Sequence, residues 1–161
     1  MNCSFEKNSI ILELNEKDRQ RTLGELFDSF HTSKKTRYLC KAENRVLLDG
    51  KPLKDDHQKL NGKHLLLHPE REEPDWVPSE KSVEVIYEDP FQLVVSKPAG
   101  CIIHGDANDT DCLNARVSRY YLNHQIHSLV RPVHRLDADT SGLVLYSKIS
   151  FFQPFLDEML R

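Results

Sequence analysis

A highly charged loop between two apolar segments most constrains how this chain can fold. The decapeptide VHRLDADTSG (Val133–Gly142) contains His134, Arg135, Asp137 and Asp139 within six residues. The apolar runs LVRPV and GLVLYSK flank it, and their length and composition are typical of strands. Because isolated charges are costly to bury, two buried strands must be joined here by a loop that holds these side chains at the surface.

A carboxylate in such a loop is well placed for chemistry, because the strands fix its position while the loop exposes it. To act as nucleophile or base, Asp137 must be ionised, and a neighbouring cation favours that form. On an extended chain Arg135 lies on the same face as Asp137, and His134 points away. The residue types indicate one working aspartate and its support, but they leave the reaction open.

Other interpretations compete with this one. The loop could be no more than a polar turn between strands. The histidines that could build a metal site with Asp137 are His104, His124, His127 and His134, although no cysteine or carboxylate set completes that site. A serine hydrolase needs a GxSxG elbow, which is absent. A glycosidase could pair Asp137 with Asp139, but two residues apart in one loop they favour one catalytic group and one structural cap.

The first part of the chain has the pattern of a small α+β domain. A short strand is predicted at Ile10–Leu14, and helices are predicted at Thr22–His31 and Ser33–Ala42, with Tyr38 pointing inward in the second. The run RVLLDGKPL and the closing strand His64–Pro69 then form a hairpin-like pair. We predict a domain over residues 1–68.

The rest of the chain is predicted to be a linker and a β-rich region. Residues 69–80 are acidic, contain prolines and lack periodicity, so they indicate a linker on which Trp76 docks to a domain. Residues 81–161 contain four strand-like runs, a helix at Thr110–Asn123 and the start of a helix after Ser150.

Charge and cysteine usage narrow the class of protein. Residues 19–51 contain eight basic and four acidic side chains, whereas residues 69–92 contain two basic and eight acidic ones. No run approaches the roughly 18 apolar residues of a membrane span, and the N-terminus does not look like a signal peptide. The four cysteines are widely spaced and predict reduced thiols in a cytoplasmic protein, not disulfides or zinc ligands.

Two motifs carry a resemblance to a known family. VHRLDADTSGLVLYSK resembles the signature of RluA-type RNA pseudouridine synthases, His-Arg-Leu-Asp-x-Asp-Thr-Ser-Gly followed by an apolar strand. VVSKPAGCIIH (Val94–His104) resembles the Lys-Pro-Ala-Gly…His segment upstream in that family. Residues 1–68 are more loosely similar to the small S4-like RNA-binding fold that often precedes this catalytic domain.

The resemblance implies isomerisation of uridine to pseudouridine in structured RNA, ribosomal or transfer, with neither cofactor nor metal. The fold class it implies is α+β: an S4-like αα-β RNA-binding domain, then the first part of a mixed or antiparallel β-sheet catalytic domain. Asp137 would be the catalytic aspartate. The active-site support would be His134, Arg135, Leu136, Asp139, Thr140, Ser141 and Gly142, with Asp139 organising the loop. The basic residues that would bind RNA phosphates are Lys34, Lys35, Arg37, Lys41 and Arg45.

The resemblance also implies an incomplete catalytic domain. Members of the family continue through further strands, a Lys-x-Tyr segment that packs on the target uracil, and a basic residue that pairs with the catalytic aspartate. Two hypotheses follow. The chain is a pseudouridine synthase by lineage, monomeric at full length, that acts only when the remaining part is supplied; alternatively, it is an inactive RNA-binding module.

Overall fold

The computed structural model describes residues 2–6, 9–106 and 109–161 and divides the chain into two compact units. Unit 1 comprises residues 1–70 and unit 2 residues 71–161. Both units are α+β and their strands pair antiparallel.

Unit 1 is a five-stranded sheet accompanied by three short helices. Its elements are β1 (Asn2–Glu6), β2 (Ser9–Glu13), α1 (Glu16–Arg19), α2 (Leu23–Ser29), α3 (Lys34–Ala42), β3 (Val46–Leu48), β4 (Lys51–Pro52) and β5 (His64–Leu67). The strand order is β1-β2-β5-β3-β4. The sequence predicted the two longer helices and the strands of the closing pair, but not β1 and α1.

Local capping chemistry explains where the helices of unit 1 begin. Thr22 and Glu25 form a capping box at the start of α2, in which the Thr22 side chain accepts from the Glu25 backbone and the Glu25 carboxylate accepts from the Thr22 backbone. The Ser33 hydroxyl caps α3 by accepting from the Thr36 N–H at 3.2 Å. Both N-caps agree with the sequence pattern.

The orientation of Tyr38 on α3 differs from the sequence prediction. Its side chain is 68% exposed, so the prediction that it points inward was wrong. The Arg37 side chain turns inward instead: it lies over the Phe27 ring at 5.8 Å and donates to the Thr32 carbonyl and to Asp28. Because Arg37 occupies the inner face of the helix, the next residue faces outward.

Unit 2 is a four-stranded sheet with one long helix. Its elements are β6 (Glu84–Glu88), β7 (Gln92–Lys97), α4 (Leu113–Asn123), β8 (Arg131–Pro132), β9 (Gly142–Ser147), a 3₁₀ turn (Ser150–Phe152) and α5 (Gln153–Met159). The strand order is β6-β7-β9-β8.

The core of unit 2 lies on the face of the sheet that alternate residues of β7 and β9 line. Leu93 and Val95 pair across from Tyr146 and Val144, and all four side chains are fully buried. Buried side chains of α4, among them Leu113, complete this cluster. The last pair of the ladder is Lys97 with Gly142, so β7 and β9 end together beside the charged loop.

Residues 71–80 form neither helix nor strand and run along unit 2. The Asp75 carboxylate accepts from the Val130 N–H at 3.0 Å, and the Ser118 hydroxyl donates to the Trp76 carbonyl at 2.7 Å. Trp76 packs against the core cluster, as the sequence predicted. These residues make up most of the predicted linker, 69–80, and specific hydrogen bonds hold them against the rest of unit 2.

An ion pair closes the end of the unit 2 sheet opposite the charged loop. Lys148 and Tyr120 both donate to the Glu88 carboxylate, at 2.7 and 2.6 Å. Burial alone would raise the pKa of Glu88, but these hydrogen bonds outweigh it and lower the pKa below its ordinary value.

We expect Glu88→Gln to lower the free energy of unfolding of the chain by about 1–2 kcal/mol, because charge-assisted hydrogen bonds are lost. Since the folded-state pKa of Glu88 is depressed, its contribution is fully present above the ordinary carboxyl pKa of 4.5 and is lost as the pH falls through the lower folded value. Urea unfolding at pH 7 and pH 3 checks this: the difference between wild type and variant should be smaller at pH 3. Glu158→Gln, on the exposed end of α5, is the control.

Candidate active site

Strands β8 and β9 bring the two ends of the charged loop together. Pro132 pairs with Tyr146, and the Val133 N–H donates to the Leu145 carbonyl at 2.8 Å. Within the loop the Thr140 N–H donates to the Asp137 carbonyl at 3.1 Å, which closes a turn. The sheet therefore holds the loop at both ends, as the flanking apolar runs predicted.

A buried lysine anchors the middle of the loop. The Lys97 ammonium donates to the Ala138 carbonyl at 2.8 Å and to the Pro98 carbonyl at 3.2 Å, and the side chain is only 1% exposed. The Gly100 N–H donates to the same Ala138 carbonyl at 2.9 Å, from a residue with φ of 79° that favours glycine. The carbonyl of Ala138, the residue that follows Asp137, thus accepts two hydrogen bonds from the Lys-Pro-Ala-Gly segment.

Packing of Leu136 fixes the direction of its neighbours. Leu136 is partly buried against the core of unit 2, whereas Arg135 and Asp137 on either side are exposed. Gly142, with φ of 156°, leaves room for it: a Cβ there would lie 3.2 Å from the Leu136 Cδ1. A larger residue at position 142 would contact Leu136 closely and would be strained at this φ.

Arg135 and Asp137 line the same open cavity. Its volume is about 530 Å³ and its walls are the loop residues Arg135–Ala138 and the segment Ile102–His104. In the residues that the structure describes, no hydrogen bond or ion pair engages the Asp137 carboxylate. The cavity therefore combines an available carboxylate, a guanidinium and an imidazole with apolar wall residues.

Arg135 differs from the other cations of unit 2 in having no partner among the described residues. The others each donate to a side chain or a backbone carbonyl, and they are Arg71, Lys81, Lys97, Arg116, Arg119, Arg131, Lys148 and Arg161. An exposed guanidinium without a carboxylate is free to bind an external anion or an aromatic ring.

The remaining residues of the motif lie outside the cavity. The His134 Nε2 accepts a hydrogen bond from the Leu145 N–H at 3.2 Å, so its ring lies against β9. The Asp139 side chain is exposed and forms no hydrogen bond with described residues. Lys97 and Gly100, rather than the Asp139 carboxylate, supply the bonds that organise the loop. Thr140 and Ser141 are exposed.

The histidines considered as metal ligands have other roles or lie apart. His127 pairs with Glu73 at 2.8 Å, and His124 stacks on Tyr120 and bonds to its backbone oxygen. Over the described ranges, 2–6, 9–106 and 109–161, there is no group of three or more side chains suited to a metal ion.

The five basic residues predicted to bind RNA fall into two groups in unit 1. Arg37 pairs with Asp28, Lys41 with Asp56, and Arg45 with Glu43 and Glu70. In contrast, Lys34 and Lys35 are exposed and have no partner within the described part of the chain. Only these two present their full charge to solvent.

The sequence reasoning did not place Ile102, Ile103 and His104 in the wall of the cavity. The second motif contains all three residues, but it indicated only that His104 is a motif residue, and His104 was otherwise a candidate metal ligand. Backbone hydrogen bonds fix this wall: Leu113 donates to the Ile102 carbonyl at 2.8 Å and Asn114 to that of Ile103 at 2.9 Å, at the start of α4.

Comparison with known proteins shows that this chain is similar to proteins named as pseudouridine synthases. A family model described as RNA pseudouridylate synthase matches residues 92–160. Ribosomal large subunit pseudouridine synthase D of Yersinia pestis is 33% identical over 147 residues, which cover 88% of this chain and 44% of that protein. The protein of the same name from Pseudomonas aeruginosa is 33% identical over 109 residues, 66% of this chain and 34% of its own.

The chain spans less than half the length of these curated relatives. A solved structure titled Human RNA Pseudouridylate Synthase Domain Containing 4 aligns with 48% of this chain and 29% of its own at 21% identity and a TM-score of 0.40. Among the described residues no helix combines the length and apolarity needed to cross a membrane.

Proposed function

Because a family model described as RNA pseudouridylate synthase matches residues 92–160, we propose that this protein isomerises uridine to pseudouridine in RNA with Asp137 as the catalytic residue. The observation that carries the proposal is the position of Asp137: it is exposed, unpaired among the described residues, in a cavity shared with Arg135, on a peptide anchored by Lys97. The relatives are named for the large ribosomal subunit, which favours ribosomal RNA over transfer RNA as substrate.

The Asp137 carboxylate, the RNA and water supply the reacting atoms. The Asp137 carboxylate either attacks the ribose carbon that carries the base or removes a ribose proton, and on both routes the C–N glycosidic bond breaks. The uracil then turns and a C–C bond forms to the same ribose carbon. On the first route the bond between Asp137 and that carbon breaks in this step, and on the second route the proton returns from Asp137 to the ribose. The hydrogen on that uracil carbon passes to water as a proton, and the former glycosidic nitrogen takes up a proton from water. The product is an isomer of the substrate, so no cofactor, metal or second substrate enters the balance.

The test of this function is release of tritium from RNA labelled at the uracil carbon that forms the new bond. The native protein should release tritium in proportion to pseudouridine formed. An inactive RNA-binding module would bind the same RNA without releasing tritium.

We further propose that the protein works as a cytoplasmic monomer.

Arg135 is proposed to stabilise the flipped-out state of the target nucleotide. A base inside a duplex must leave the stack before Asp137 can reach its ribose, at a cost of a few kcal/mol. A free guanidinium beside the cavity can pair with a phosphate or fill the vacated stack. Both roles lower the cost of flipping and are needed less when the target is already unstacked.

We therefore expect Arg135→Ala to lower kcat/KM on a duplexed target by about tenfold more than on a single-stranded one, an extra loss of about 1.4 kcal/mol. Rates on paired RNA substrates of both forms measure this. Arg161→Ala, which removes an exposed arginine at the end of α5, is the control and should change neither rate. Equal losses on both substrates would contradict the role in flipping.

We propose that unit 1 is an S4-like domain that holds the RNA. The support is its basic helix α3, on which Lys34 and Lys35 are available to phosphates. Arg37, Lys41 and Arg45 remain candidates, but each must exchange a carboxylate for a phosphate to contribute. Their contribution to affinity should be smaller than that of the two free lysines.

A further inference from the structure

The outer face of α3 presents an aromatic ring one turn after two exposed lysines. At about 100° per residue, Lys34, Tyr38 and Ala42 follow one another along one stripe of the helix, and Lys35 lies beside it. All four are exposed, and Tyr38 reaches 68%. In the side chains of unit 1 that the structure describes, Tyr38 is the only large apolar group exposed to this extent.

The charge available on this stripe comes from the two lysines alone. Arg37 and Lys41 lie on the inner side of α3, with 19% and 20% of their side chains exposed, and each is neutralised by an aspartate. Lys34 and Lys35 have no such partner among the described residues. The stripe therefore joins two uncompensated positive charges to one phenol ring, with the small Ala42 leaving space beside it.

We propose that Lys34, Lys35 and Tyr38 form a binding site for an unpaired nucleotide of RNA, with the base stacked on the Tyr38 ring and the flanking phosphates held by the lysines. Aromatic side chains bind bases whose faces are open, which excludes bases inside a duplex. The inference rests on the proposed function in that RNA is the partner, and it adds that α3 binds a single-stranded element of that RNA.

A protein partner would fit this surface less well. Protein interfaces are centred on clusters of large apolar side chains, whereas this stripe offers one ring surrounded by lysines and an alanine. A ring flanked by free cations complements a polyanion with exposed aromatic bases.

The test is equilibrium binding of the 161-residue chain to a fluorescein-labelled 12-nucleotide RNA, measured by anisotropy, as a single strand and in a blunt duplex. Tyr38→Ala should weaken single-strand binding by about 5- to 100-fold and duplex binding by less than about twofold, because only the stacking contribution is lost. Tyr38→Phe keeps the ring and should bind like wild type. Tyr87→Ala, an exposed tyrosine of unit 2, is the control.

Lysine variants complete the test. The double variant Lys34→Ala, Lys35→Ala should weaken binding to both RNA forms. The slope of log affinity against log salt concentration should fall by the equivalent of about two phosphate contacts. Circular dichroism melting should be unchanged in every variant, since all three side chains are exposed.

Single-strand affinity of Tyr38→Ala within twofold of wild type would overturn the stacking site. Loss of binding to another protein chain with RNA affinity intact would overturn it in favour of protein docking. Neither result counts against catalysis by Asp137, which is tested by tritium release. Asp137→Asn should leave the Tyr38-dependent affinity unchanged. The two proposals therefore fail separately.

Discussion

Replacing Asp137 with Asn is expected to lower pseudouridine formation by about 10⁴-fold or more, as the loss of an essential nucleophile or base does in other enzymes. Asparagine has the same size but is neutral, so it can neither attack the ribose carbon nor take a ribose proton. The side chain is exposed and makes no hydrogen bond or ion pair with described residues, so the substitution removes the charge without breaking a polar contact.

Tritium release and RNA affinity should be measured on the same preparations. The Asp137→Asn protein should bind RNA within about twofold of wild type, because unit 1 supplies most of the proposed phosphate contacts. Asp139→Asn is the matched control: it changes an exposed aspartate two residues away in the same loop and should retain most of the activity. Equal activity in wild type and Asp137→Asn would sink the catalytic assignment. Absence of turnover in both, with RNA binding intact, would favour the inactive RNA-binding module.

Features set by local sequence were predicted well. The starts of α2 and α3 depend on side chains one turn apart, and a single sequence displays those pairs directly. Strands β7 and β9 were predicted because their apolar residues form short runs bounded by Pro and Gly. The exposure of Asp137 and Arg135 also followed from alternation around Leu136.

Features set by contacts between distant residues were missed. The orientation of Tyr38 depends on whether Arg37 or Tyr38 covers Phe27, and the apolar count of α3 alone favours the tyrosine. The Arg37 guanidinium lies over the ring and donates to Asp28 and to the Thr32 carbonyl. Nothing in the helix pattern reveals those partners.

The active-site wall shows the same limit. Lys97 and Ala138 are 41 residues apart in the chain, and no local pattern pairs a lysine with a distant carbonyl. The family resemblance marked both segments and implied that the Lys-Pro-Ala-Gly turn packs beneath the active-site loop, but the hydrogen bond from Lys97 to the Ala138 carbonyl became visible only in the fold. Through that contact Lys97 holds the carbonyl of Ala138, the residue that follows Asp137.

Lys97→Met is expected to separate the positioning of Asp137 from the stability of unit 2. A buried ammonium that bonds only to carbonyls carries a desolvation cost, and methionine removes that cost while keeping most of the volume. The Ala138 carbonyl still accepts from the Gly100 N–H, and the Pro98 carbonyl, which loses the lysine donor, belongs to an exposed residue that water can reach. We expect the free energy of unfolding to change by less than about 1.5 kcal/mol.

The rate should respond far more than the stability, because a displacement of about 1 Å at a reacting group costs roughly 10²-fold. Lys97→Met should therefore lower kcat by about that factor while leaving RNA affinity unchanged, whereas Lys97→Ala should also lose about 3 kcal/mol of stability through the cavity it creates. For both variants, urea unfolding measures the free energy of unfolding, tritium release measures kcat, and anisotropy measures RNA affinity. Lys81→Met, on an exposed lysine of unit 2, should change none of them by much. If Lys97→Met kept the full rate, the loop would hold Asp137 in place through Gly100 and Leu136 alone, and the ammonium would be a packing group.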